Sequence, residues 1–137
     1  MSKNIKNERT KMLELLSNMI YIEHILTKEG ISMNNIKELY GEAIIDSRDS
    51  EELNIGERIK LEYYKTISKL FANGNRETYG IGIVKKYKDT KKEKIESREI
   101  NNILLEEKQT EKLLKILINN KVTPIALDDV LTDLIRA

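Results

Sequence analysis

The sequence predicts a mixed, mainly helical α+β protein, with three N-terminal helices followed by a β-hairpin and two C-terminal helices in β-β-α-α order. Three observations carry this expectation. Apolar residues recur every three to four positions in the first 74 residues, the period changes to strict alternation between Tyr79 and Tyr87, and helical spacing returns after Asn102. The chain accordingly divides into a helical region, 1–74, which offers a dimerisation surface, and a β-β-α-α region, 75–137, both within one compact domain.

The first helix is expected over Glu8 to Glu29, where Met12, Leu15, Leu16, Met19, Ile22 and Leu26 form an apolar stripe closed by Gly30. Leu13, Ile20 and Ile25 widen the stripe, so this helix has room for neighbours on more than one side, a second copy of the chain among them. Ser32 is placed to cap a second helix burying Ile36, Leu39, Tyr40, Ala43 and Ile44. Asp46 to Glu52 has no apolar period and reads as a polar connector or a helix start. Asn54 and Glu57 have the spacing of a capping box, which predicts a third helix to about Phe71 with Ile59, Tyr63, Ile67, Leu70 and Phe71 buried, ended by Asn73-Gly74-Asn75.

From Tyr79 the alternation sets Tyr79, Ile81, Ile83 and Tyr87 on one face of a strand and Gly80, Gly82, Lys86 and Lys88 on the other. Asp89-Thr90-Lys91-Lys92 supplies a turn, and Glu93 to Ile100 returns as the second strand, with Ile95 its clearest apolar residue. Glu106 to Asn119 then reads as a helix with Leu113, Leu114, Leu117 and Ile118 on one side. Thr123 and Pro124 start the last helix, which buries Leu127, Val130, Leu131, Leu134 and Ile135.

Tyr79-Gly80-Ile81 and the terminal run from Val122 to Leu134 resemble a family of small bacterial proteins known as a domain of unknown function. The resemblance covers roughly Glu77 to Ile135 and implies a short hairpin before a helix and a proline-started terminal helix. It implies no activity and assigns no functional residue. The first 74 residues resemble no known family.

Composition narrows the chemistry. The chain has 137 residues, 34% of them charged, and no cysteine, which removes disulfides, thiolate metal sites and thiol nucleophiles together. No apolar run approaches the length of about 18 residues that a membrane span needs, and the first nine residues lack a secretion signal's apolar core, so a cytoplasmic protein that does not enter a membrane is expected. His24, the single histidine, lies about 10 Å along the first helix from Ser17, too far for a dyad. Asp46, Asp49, Glu51 and Glu52 lack the alternation and central glycine of an EF-hand loop. Gly80 and Gly82 are followed by more strand, where a phosphate-binding loop would enter a helix. No catalytic residue, cofactor site or metal site is expected.

Charge is the remaining signal. Val84 to Arg98 holds seven bases against three acids, whereas the chain from Glu99 onward holds five bases against seven acids. Lys85, Lys86, Lys88, Lys91, Lys92 and Lys94 are therefore candidate contacts for nucleic acid or an acidic partner. Asp128, Asp129 and Asp133 form a candidate protein-docking face. Lysine also keeps a strand edge from pairing with other chains, so a merely solubilising hairpin is an open alternative. The expected function is a small non-enzymatic regulatory or adaptor protein that binds another protein, with homodimerisation through the first helix. The alternative is a DNA- or RNA-binding regulator that uses the lysine ribbon.

Overall fold

The computed structural model describes residues 33–70 and 76–136. Four strands, β1 (Met33–Asp46), β2 (Arg58–Leu70), β3 (Arg76–Asp89) and β4 (Lys92–Leu104), precede α1 (Glu107–Asn119), a 3-10 turn at Pro124–Ala126 and α2 (Leu127–Arg136). The strands form one antiparallel sheet in the order β1-β2-β3-β4.

This architecture corrects the mainly helical fold class. The segments expected as the second and third helices are the strands β1 and β2, and the helix expected over Glu8 to Glu29 lies outside the described residues. In β2 the misleading spacing is Ile59, Tyr63, Ile67, because a step of four is shared by a helix turn and by every second residue of an alternating strand. Leu61 completes the strand alternation, but Lys65 stands in the remaining inward position and conceals it. In β1 a bulge between Leu39 and Gly41 shifts the phase by one residue, so apolar side chains fall on both faces and imitate a three-to-four period. The Asn54–Glu57 pairing does form: Asn54 N–H donates to Glu57 Oε2 at 3.2 Å, and Asn54 Nδ2 donates to Glu57 Oε1 at 3.0 Å. It closes a turn that enters a strand.

The second half follows its expected order. Asp89 pairs with Lys92, leaving Thr90 and Lys91 at φ of 48° and 69° as a two-residue turn with the paired positive φ of type I′. Tyr79, Ile81 and Ile83 turn inward. Tyr87, expected beside them, lies beyond the helices, and its hydroxyl donates to Glu96 Oε1 at 2.9 Å. Ile95, the expected apolar residue of the return strand, is 61% exposed.

Both helices cover one face of the sheet. Leu61, Tyr63, Ile81, Ile83 and Leu104 meet Leu113, Leu114, Leu117, Val122, Leu127 and Leu131 in the core. Tyr63 has no solvent exposure, and its hydroxyl donates to the Val122 carbonyl at 2.9 Å, in the segment between α1 and the 3-10 turn. Burial holds its phenol well above the ordinary value of 10. Lys65 is also nearly buried on this face, within 3.3 Å of Glu107 and of Glu111 and 3.6 Å of Glu38. Burial works against its charge, but hydrogen bonds to Glu107 and Glu111 outweigh it and raise its pKa above 10.5.

At the β3–β4 pairing, Tyr79 faces Leu104 while Ile81 faces Ile100, so β4 carries extra residues there. Asn102 takes φ of 58° within this bulge, and its side chain accepts a hydrogen bond from Thr78 Oγ1. The bulge presses on Gly80, where a Cβ would meet the Ile100 carbonyl oxygen, Thr66 Oγ1 at 2.5 Å and Asn101 Cα at 2.8 Å. A Cβ at Gly82 would meet nothing nearer than Tyr64 Cβ at 3.7 Å.

Gly80→Ala should therefore lower stability by about 1–3 kcal/mol in urea unfolding, the usual cost of overpacking, whereas Gly82→Ala stays within about 1 kcal/mol of the parent. Equal losses would show that backbone crowding at residue 80 is unimportant. The raised Tyr63 pKa gives a pH dependence. Its stabilisation is complete below pH 10 and is lost as pH rises toward the folded value, so alkaline unfolding should have a smaller Tyr63 component in Tyr63→Phe. The same variant should lose about 1 kcal/mol at neutral pH by removing a buried hydrogen bond.

Candidate docking face of the sheet

With the helices on one side, the other face of the sheet carries no described helix, and the strand registers set its side chains in rows. Alternation sends every second residue of each strand to this face, so its composition follows from sequence once the registers are known. One row reads Ile44, Lys60, Lys86, Ile95 across the four strands, and the next reads Glu42, Glu62, Val84, Ser97. Then come Leu39, Tyr64, Gly82 and Glu99 in register. Toward the start of β1 the rows become small and polar: Lys37, Thr66 and Gly80, then Asn35, Ser68 and Thr78.

The basic and acidic rows neutralise one another. Glu62, only 7% exposed, lies 2.8 Å from Lys86 Nζ and 3.9 Å from Lys60 Nζ, and Glu42 reaches Lys60 at 3.5 Å. The Glu62 hydrogen bond raises the pKa of Lys86 above its ordinary value. Lys37 extends across the small residues of β2 and β3 to Glu99 at 3.2 Å, with its ammonium 5.4 Å from the centre of the Tyr64 ring. That reach crosses three strand spacings of about 4.8 Å and depends on Gly82 having no side chain to obstruct it.

The six candidate lysines do not form one surface. Lys86 and Lys88 lie on the open face, while Lys85 and Lys94 lie on the helix-bearing face beyond the helices, and Lys91 and Lys92 occupy the exposed hairpin tip. Lys85 is paired with Glu96 at 3.6 Å and stands 4.8 Å over the Tyr87 ring. A hydrogen bond to Glu96 holds the Tyr87 phenol above its usual pKa. Of the three aspartates, Asp128 pairs with Arg98 of β4 at 3.3 Å, and Asp129 and Asp133 are exposed on α2. The connector carboxylates are engaged as well. Asp46 binds Arg48 at 2.8 Å, which lowers its pKa to about 2, and Asp49 binds Lys121 at 2.9 Å, which also lowers its pKa.

A cleft of about 710 Å³ opens at the hairpin end of this face, lined by Ile44, Leu53, Arg58, Lys60, Lys86 and Lys88 among others. Exposed apolar groups border it, with Ile44 at 40% and Ile95 at 61% exposure, and Leu39 at 52% stands farther along the same face. Among the described residues the cleft-lining Arg58 and Lys88 make no ion pair, so both are available to a ligand in the cleft. Sequence reasoning found Lys86 and Lys88 but missed Ile44, Leu53, Arg58, Lys60 and Glu62. Their proximity depends on the β1–β2 and β2–β3 registers, and the lysine burst gave no hint of Glu62. Among the described residues no group of three metal-ligating side chains occurs, and no helix is long and apolar enough to cross a membrane.

Because Lys86 compensates a nearly buried carboxylate and Lys91 compensates none, Lys86→Met should lower the thermal midpoint more than Lys91→Met does. A calorimetric scan of both variants checks this, and equal midpoints would remove Glu62 as the reason for Lys86.

No curated protein and no solved structure matches the chain. A family of unknown function, DUF6514, matches residues 42–137, from the middle of β1 through α2, and leaves residues 1–41 outside. That span includes the stretch whose resemblance suggested a family of unknown function and adds most of the first hairpin to it, so the chain belongs to the DUF6514 family.

Proposed function

We propose that this chain is a small, non-enzymatic regulatory or adaptor protein of the cytoplasm that binds another protein at the hairpin end of its open sheet face. The observation that carries this reading is the row Ile44–Lys60–Lys86–Ile95, in which exposed apolar side chains flank lysines already balanced by glutamates. Neutralised charge with exposed isoleucine suits a protein surface better than a polyphosphate. The partner chemistry that fits is an apolar segment carrying an acidic residue, its side chains against Ile44, Leu53 and Ile95 and its carboxylate near Arg58 and Lys88.

Nucleic-acid binding through the lysine ribbon is favoured by one observation, the exposure of Lys88, Lys91 and Lys92 around the hairpin tip. Against it stand the ion pairs of Lys85 and Lys86 and the division of the lysines between two faces.

Affinity capture from the native cell, run in parallel with the parent, Ile44→Asp and Arg58→Glu/Lys88→Glu, separates the readings. A stoichiometric protein retained by the parent and lost by both variants is the expected result. Recovery of nucleic acid alone, with binding that falls steeply with added salt and is abolished by reversing Lys86, Lys88 and Lys91, would overturn it.

A further inference from the structure

Among the described residues the outer edge of β4 is unpaired, since β4 ends the sheet order and pairs only with β3. From Lys92 to Glu99 every residue is exposed, and the register with β3 runs unbroken along this stretch. It offers a straight row of backbone donors and acceptors, which natural proteins ordinarily block or fill. The β1 edge differs, because the bulge between Leu39 and Gly41 interrupts it at mid-length.

We infer that this edge is the contact between two copies of the chain, which pair antiparallel about a two-fold axis at Ile95 and join their sheets into one. A two-fold axis perpendicular to the sheet sets side chains of the same face opposite one another, so it passes through a residue, and the charges decide which. With the axis at Ile95, Lys94 of each copy faces Glu96 of the other, Glu93 faces Ser97, and Ile95 meets itself. An axis at Glu93, Lys94, Glu96 or Arg98 would set that charge against its own copy, and an axis at Ser97 would run the ladder into the β4 bulge at Asn102.

The remaining pair in this register, Lys92 opposite Arg98, joins like charges, and α2 resolves it. Lys92, Lys94, Glu96 and Arg98 share the helix-bearing face. Arg98 is held at 3.3 Å by Asp128, whose side chain is still 62% exposed, and Asp129 follows it. Lys92 of one copy therefore arrives beside the acidic start of α2 of the other. The basic hairpin and the acidic terminal helix complement each other between copies, whereas within one chain, among the described residues, only Arg98 and Asp128 join them. Glu96 has room for Lys94 of the second copy, because Tyr87 and Lys85 occupy one lone pair on each of its oxygens. On the open face the axis buries Ile95, 61% exposed in the single chain, against its copy. Ile95 borders the hairpin-end cleft without lining it, so this inference stands independently of the protein-binding reading.

Light scattering on the purified full chain should return twice the chain mass of 15.9 kDa. Ile95→Lys sets two ammonium groups at the axis, and Lys94→Glu sets glutamates opposite each other at two symmetric places. Each should raise the dimer dissociation constant at least about tenfold, while the cleft variants Ile44→Asp and Arg58→Glu/Lys88→Glu leave it unchanged. The chain has no cysteine, so single thiols report the register. Under mild oxidation Ile95→Cys should cross-link to itself, and Glu93→Cys should cross-link only when mixed with Ser97→Cys. A monomeric mass would overturn the inference. So would a dimer that Ile95→Lys leaves intact, or one in which Glu93→Cys links to itself as fast as Ile95→Cys does, since the contact would then lie elsewhere or in another register.

Discussion

Tyr63 sets the layout on which the rest depends. It stands in a central strand with its ring in the core, and its hydroxyl reaches the Val122 carbonyl in the connection between the helices. A buried phenol needs an acceptor, and a carbonyl in a buried connection needs a donor, so the pair fixes the helix connection over the middle of the sheet. Lys65, two residues along the same face, holds the first turns of α1 through Glu107 and Glu111. Together they commit both helices to one side. Among the described residues the opposite side carries no helix.

The charge pattern gains its meaning from that asymmetry. Charges on the open face face one another across strands, and Glu62 sits between two lysines where its burial would otherwise be expensive. Much of the basic run is therefore part of the sheet's own electrostatic balance. Surface ion pairs of this kind contribute little stability individually, but they govern which partners are accepted, because an incoming charge must compete with one already in place. Arg58 and Lys88 differ in having no such competitor among the described residues.

Gly80 joins the two faces. The β4 bulge that brings Ile103 and Leu104 into the core presses Ile100 and Asn101 against Gly80, and the same missing side chain lowers the floor of the open face. A glycine pair that suggests phosphate chemistry in sequence serves close packing of strand on strand, with a surface groove as the consequence. Gly82 is sterically freer, and its contribution is the clear path along which Lys37 reaches Glu99.

The sequence by itself determined the local features: the turn at Thr90-Lys91, the alternation of Tyr79, Ile81 and Ile83, the apolar stripe of α1, and the proline start before α2. Each is set by residues within one turn or one strand, where backbone preference and apolar period agree. Only the tertiary structure decided that residues 33–70 are two strands, because a four-residue apolar step and a bulged strand carry the same signature as a helix until a neighbouring strand provides hydrogen bonds. Pairing also decided the candidate site. Ile44, Lys60, Lys86 and Ile95 are up to 51 residues apart in the chain and become one row through three strand registers. Register is a property of pairs of strands, which no single stretch of sequence contains.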